Sequence, residues 1–165
     1  MWMGGGSVVA VGTFFYCLLS AIVPVANAEV YLVGVALTTD SPPLLLALAA
    51  ASGQVLGKMA FYLLGRGVID VSRLRRHART GGRWTARMAG VTAWCGQHPW
   101  GPSAVTLVSA AAGLPPFAVV SVLAGTLRMR WWLFALCGLV GRFVRFLAVL
   151  LAPGLVPAGL LGWPF

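Results

Sequence analysis

Apolar residues fall into four blocks, set apart by prolines, glycines and one basic stretch. The first runs from Val8 to Val23, is interrupted by Pro24, Asn27 and Glu29, and resumes from Val30 to Leu37. Val8 to Val23 covers only about 24 Å as a helix, short of a ~30 Å hydrocarbon core. A helix continued through Glu29 would be long enough but would carry a buried acid. The second block, Leu44 to Leu64, follows Ser41-Pro42-Pro43 and has the length of a full span. The third, Ser103 to Leu127, is split by Pro115-Pro116, which remove two backbone donors and break a helix. Its halves are each about 17 Å long, half a membrane apiece. The fourth, Trp131 to Leu151, is again span length, and the tail from Pro153 to Phe165 is too rich in Pro and Gly for another span.

Composition sets the solvent. Of the 165 residues 59% are hydrophobic and 9% charged, against roughly 25% charged in soluble domains. So few charges cannot cover a water-facing surface, so lipid is the solvent for much of this one. The net charge of +9 is local: Arg66, Arg73, Arg75, Arg76, Arg79, Arg83 and Arg87 crowd the loop over 65–87. Beside apolar spans such a loop reads as cytoplasmic, and it suits anionic headgroups. The aromatic–basic interleaving of a nucleic-acid surface is absent, so no nucleic-acid partner is expected. Cys17, Cys95 and Cys137 form no close pair, and His77 and His98 have no second ligand at metal spacing, so neither a disulfide frame nor a metal site is expected. The N-terminal end carries a competing reading. Ala26-Asn27-Ala28 after an apolar run looks like a signal-peptidase site, although no Lys or Arg precedes that run.

Topology follows from the charges. With the basic loop inside, the span 44–64 runs inward. Arg87 upstream and Arg128 and Arg130 downstream place both ends of 103–127 on the cytoplasmic side, which makes that segment re-entrant; the alternative is one kinked span. The chain then reads as an all-α integral membrane protein with one domain over 1–165. Its broken segment 8–37 and span 44–64 form one unit; the broken segment 103–127 and span 131–151 repeat it upside down. Paired interrupted segments of this kind point to inverted-repeat transporters, whose breaks line a cavity near the midplane. Pro24, Pro115 and Pro116 are the expected breaks.

Charges inside the apolar blocks carry the candidate chemistry, because burying them is costly. Arg142 and Arg145 are three apart, share a helix face and lie near the middle of the fourth block, where snorkelling is hardest. Their planar donors suit a phosphate or carboxylate. The functional reading is a bound anionic headgroup; the structural one is an ion pair with Glu29. Glu29 follows the first break and is a candidate for proton exchange with a cavity; its structural alternative is an exposed loop acid. In the second block Gly53 and Gly57 form a GxxxG pair that admits another backbone, and Gln54, Lys58 and Tyr62 share a face. Lys58 is near enough to the basic loop to snorkel there. No catalytic constellation, phosphate loop or dinucleotide fingerprint is present, so neither enzymatic activity nor a cofactor is expected.

The stretch Pro24-Val25-Ala26-Asn27-Ala28-Glu29, with Gly34, Gly53, Gly57 and Tyr62-Leu63-Leu64-Gly65-Arg66, resembles the DedA family, also called the SNARE-associated or VTT-domain family. Leu114-Pro115-Pro116, Ala124-Gly125-Thr126-Leu127-Arg128-Met129 and Gly141-Arg142-Phe143-Val144-Arg145-Phe146 look most like its short YqaA-like branch. The resemblance covers roughly Thr13 to Leu147. It implies two opposed re-entrant segments plus spans, and movement of lipids between leaflets, undecaprenyl phosphate among them, with proton coupling in some members. The family's acid after the first re-entrant proline falls on Glu29, and its arginines in the second half fall on Arg142 and Arg145. Two departures stand out. The usual Phe-x-Arg-x-x-Pro-x-x-Arg run is replaced by Gln97-His98-Pro99-Trp100-Gly101-Pro102, and an acid often found before the Tyr-x-x-Gly-Arg run is Lys58 here.

The expectation is therefore a multi-pass protein of the inner (plasma) membrane that flips or scrambles phosphate-headed lipids. Arg142 and Arg145 would hold the headgroup, of a polyprenyl phosphate or an anionic phospholipid, and Glu29 would couple it to a proton. The alternatives are a small-solute or ion transporter using the same cavity, and an adaptor acting through the basic loop. A chain this small leaves room for a homo-oligomer, although nothing in the sequence shows one.

Overall fold

A computed structural model of the chain describes residues 3–23, 27–67 and 83–151. Every regular element among them is a helix: α1 (Met3–Ile22), α2 (Ala28–Thr38), α3 (Pro43–Gly67), α4 (Arg83–Gln97), α5 (Gly101–Ala112), α6 (Phe117–Thr126) and α7 (Trp131–Leu151). α3 and α7 are long and apolar enough to cross a membrane. Helices suit this solvent because each satisfies its own backbone polar groups.

The helix ends are written locally. Asn27 caps α2, its side chain accepting from the Glu29 N–H at 3.0 Å. Pro43 opens α3, where a missing N–H costs nothing. α5 stops at Gly113, whose φ of +79° suits a residue without Cβ, and its N–H reaches the Ser109 carbonyl. The Ser109 hydroxyl then donates to the Pro115 carbonyl at 2.5 Å, giving a partner to backbone in the break. α6 ends in a Schellman turn: the Met129 N–H bonds to Ala124 O and the Arg128 N–H to Gly125 O, with Arg128 at φ +52°.

α1 runs alongside α3 in the same direction. Gly6 lies by Pro42, Gly53 against Phe14 and Leu18, and Gly57 against Leu18 and Ala21. The expected GxxxG pair therefore takes the backbone of α1. α2 turns back toward the start of α3 through the short link 39–42. The second half repeats the arrangement. α5 lies along α7 in the same direction, with Ala110 on Gly141 and Gly113 on Arg145, and α6 turns back toward the start of α7. α3 and α7 are antiparallel: Val55 reaches Gly138, while Tyr62 stacks on Phe134 with ring centroids 5.0 Å apart.

Contacts between the halves are reciprocal, α6 packing on α3 and α2 on α7. Tyr62 ties the α3–α6–α7 corner, donating to the Met129 carbonyl, while Arg66 donates to the Tyr62 hydroxyl at 2.8 Å. Two apolar clusters hold the centre. One joins Cys17, Leu32, Leu46, Ala50 and Phe146; the other joins Tyr62, Ala110, Phe117, Ala124 and Phe134. Leu19, Val30, Leu56, Leu63, Val108, Leu136 and Val144 remain on the outside, where lipid would meet them.

Several boundaries differ from those read in the sequence. α1 begins at Met3, not Val8, and its 20 residues cover about 30 Å, not 24 Å. The basic stretch is not a loop throughout: α3 continues to Gly67 and α4 begins at Arg83. Residues 68–82, with Arg73, Arg75, Arg76 and Arg79, lie outside the described residues, as does the Pro24 break. The second break falls at residues 113–116, on Pro115 and Pro116 as read.

Candidate functional site

Arg145 sits between the first turn of α2 and the last turn of α5. Its Nε donates to Glu29 Oε1 at 2.5 Å, and Nη2 approaches the same oxygen at 2.5 Å. Its Nη1 reaches the Ala111 carbonyl at 3.5 Å, in the last turn of α5. The carbonyls of a helix end carry partial negative charge, so a guanidinium there is favoured. Gly113 makes room: a Cβ at that position would strike the guanidinium. One side chain of α7 thus fastens the first turn of α2 to the last turn of α5. The pair is closed in, with side-chain exposures of 13% for Arg145 and 9% for Glu29.

Arg142, one turn earlier, is held differently. Its guanidinium lies 5.0 Å from the ring centre of Phe117, at the start of α6, and 5.8 Å from that of Phe146. Ring faces attract a cation, more strongly where water is excluded. Arg142 Nε is nevertheless buried with no hydrogen-bond partner, and so is Glu29 Oε2. Such orphaned atoms cost about 1–3 kcal/mol each and call for an explanation. The ion pair therefore leaves one oxygen of its own carboxylate without a partner, and Arg142, one turn earlier on α7, keeps one unpaired donor.

The first half presents its own cation. Lys58 does not snorkel toward the basic stretch. Its Nζ donates to the Ala21 carbonyl at 2.5 Å, at the end of α1, and stands 4.7 Å over the Phe61 ring. One turn away, Gln54 donates to the Ser20 hydroxyl at 2.9 Å. Proximity explains the correction: α1 ends beside Lys58, and a carbonyl of its last turn accepts from the ammonium. Sequence reasoning missed this role, although the Gly57-Lys58 and Gly141-Arg142 dipeptides at matching places in the two spans were a signal for it.

The remaining singled-out residues lie elsewhere. Pro115 and Pro116 form the turn between α5 and α6, and Phe117 carries that turn to Arg142. The three cysteines are free thiols, and His98 stacks on Trp94. Among the described residues no three His, Cys, Asp or Glu side chains gather as a metal set.

Among the described residues every regular element is a helix, two of these helices are long and apolar enough to cross a membrane, and the Arg145–Glu29 pair is enclosed among them. Residues 23–153 match the model of the VTT domain, and the chain belongs to that family, the DedA or SNARE-associated family. The family is membrane-associated and is regarded as one of transporters of flippase type, not of enzymes. Comparison with curated proteins and with solved structures returns no match.

Proposed function

We propose that this protein moves phosphate-headed lipids between the leaflets of the inner (plasma) membrane, as a multi-pass inverted-repeat carrier. The hairpins α1–α2 and α5–α6 would enter from opposite faces and return to them, and α3 and α7 would span. Three features support this reading: each hairpin begins and ends by the start of its own span, the spans are antiparallel, and the two tips converge on Arg145. The observation that carries most weight is that Arg145 holds Glu29 of one hairpin and the Ala111 carbonyl of the other. An anion competing with Glu29 for that guanidinium would loosen both tips together.

In this mechanism Arg142 and Arg145 bind the headgroup, a polyprenyl phosphate or an anionic phospholipid, while its tails stay in lipid. Glu29, displaced from Arg145, would be free to take a proton. Arg142 supplies an unpaired donor at the start. The assay is headgroup translocation in liposomes. Arg142→Ala and Arg145→Ala should each lower the rate at least about tenfold, as expected for loss of a charge-assisted contact. Unchanged rates in both would remove the mechanism. Flux of a small solute without lipid movement would instead favour a solute carrier using the same cavity.

A further inference from the structure

We infer that α4 lies along the cytoplasmic surface of the membrane as an interfacial helix, and that its partner there is a layer of anionic lipid headgroups. The inference is independent of what the charged groups between α3 and α7 bind.

The length and pattern of α4 limit where it can lie. Its 15 residues cover about 22 Å, too short for a ~30 Å hydrocarbon core, and they include Arg83 and Arg87. In the sequence Trp84, Met88, Val91 and Cys95 recur at helical spacing, so one stripe of the helix is apolar. At the C-terminal end of that stripe Cys95 is buried on α5: a Cβ built on Gly101 would lie 2.7 Å from Cys95 Cα and 3.4 Å from the Trp94 ring. His98 fastens the corner, its ring stacked on Trp94 with centroids 5.0 Å apart and its Nδ1 3.2 Å from the Trp94 carbonyl. One turn before Cys95, Val91 is only half-buried. A helix with an apolar stripe, arginines and no length to span suits the boundary between headgroups and acyl chains.

The surroundings put that boundary at the same level. Trp100 is 80% exposed and Trp131 61%, while Trp94 and Trp132 are each 46% exposed. Gly101 opens α5 and Trp131 opens α7, and these helices run side by side in the same direction, so the four indoles stand at one end of the bundle. An indole has an apolar body and one N–H donor, which the interface satisfies together. The same end carries Arg128 and Arg130, exposed just before α7, and Arg66, exposed near the end of α3. The link 39–42, at the opposite end, holds Asp40 and no cation. The tryptophans set the depth and the arginines choose the sign, a negative surface such as the cytoplasmic leaflet carries. Docking of a protein on α4 would not require its level to agree with the ends of the spans.

The test places one nitroxide at a time on the full chain, reconstituted in vesicles, with Cys17, Cys95 and Cys137 replaced by alanine. Val91→Cys lies in the apolar stripe and Ala93→Cys on the opposite face of α4. In vesicles of phosphatidylcholine mixed with phosphatidylglycerol, oxygen, which partitions into lipid, should reach the label at 91. A water-soluble nickel chelate should reach the label at 93. In phosphatidylcholine alone, the ratio of immersed to free label at 91 should fall at least about tenfold, since each arginine near an anionic surface contributes roughly fivefold. Arg83→Gln combined with Arg87→Gln should lower that ratio to a similar extent in the mixed vesicles. High salt should act in the same direction on the chain with both arginines in place, which covers the case in which the double variant does not fold.

Exposure of both labels to water in mixed vesicles would overturn the inference, and so would immersion that is equal with and without phosphatidylglycerol. Shielding of the label at 91 from oxygen and nickel alike would also overturn it, because that is the pattern of a stripe covered by protein, a second copy of this chain included. None of these results depends on lipid translocation, so failure of the transport reading would leave the seating of α4 standing.

Discussion

Arg145→Ala is expected to destabilise the fold by about 3–5 kcal/mol, because it strands the Glu29 carboxylate in an enclosed site. The same substitution frees the Ala111 carbonyl at the end of α5. The companion change Glu29→Gln should cost less, because Arg145 keeps the helix-end carbonyl and an amide oxygen. Combined, the two changes should cost clearly less than their sum, because removing both charges removes the penalty of the stranded one. Unfolding in detergent, followed for the two single variants and the double, measures this coupling. Additive losses would mean that the pair does not join the hairpins energetically.

The second large effect is steric. Gly65 of α3 and Gly125 of α6 pack on each other's helix. A Cβ on Gly65 would run into the Val122 carbonyl, and one on Gly125 into the Tyr62 carbonyl. Backbone cannot move aside as a flexible side chain can, so the helices must separate. Gly65→Ala and Gly125→Ala should each cost about 1–3 kcal/mol. Separation would also pull Tyr62 from Met129, and with it the corner where α3, α6 and α7 meet. Gly12→Ala and Gly34→Ala are the controls, since a Cβ there meets nothing within 4 Å. In those helices alanine should be neutral or slightly stabilising. Matching losses at all four positions would contradict the close approach of α3 and α6.

The outline of this architecture could be read from the chain because it depends on local rules. Two prolines together break a helix wherever they stand, so the turn between α5 and α6 was visible. A GxxxG pair marks a close neighbour, and Gly53 and Gly57 have one in α1. Depth within an apolar run singled out Arg142 and Arg145. Their division of labour was not legible, because residues three apart on one face look alike in sequence. Only the positions of Glu29 and Phe117, contributed by other helices, separate the ion-paired arginine from the ring-held one.

The Gly65–Gly125 approach was equally hidden, since each glycine has its partner in the other half. α4 went unread because the stretch from Arg83 to Gln97 continues the basic region and is far less apolar than the other blocks, although Trp84, Met88, Val91 and Cys95 recur at helical spacing. Lys58 was misread for a physical reason. Snorkelling assumes that the only outlet for a buried ammonium is water, whereas the end of a neighbouring helix is another.

Side-specific labelling of single cysteines, in a background with the native cysteines replaced, is the most direct check on two opposed hairpins. Ser7→Cys and Thr38→Cys flank the first hairpin, and Ser103→Cys and Leu127→Cys flank the second. With an impermeant maleimide on oriented vesicles, the first two should react from one face and the last two from the opposite face. If the two cysteines flanking either hairpin reacted from different faces, that hairpin would be a crossing, and the meeting of two tips at Arg145 would lose its meaning.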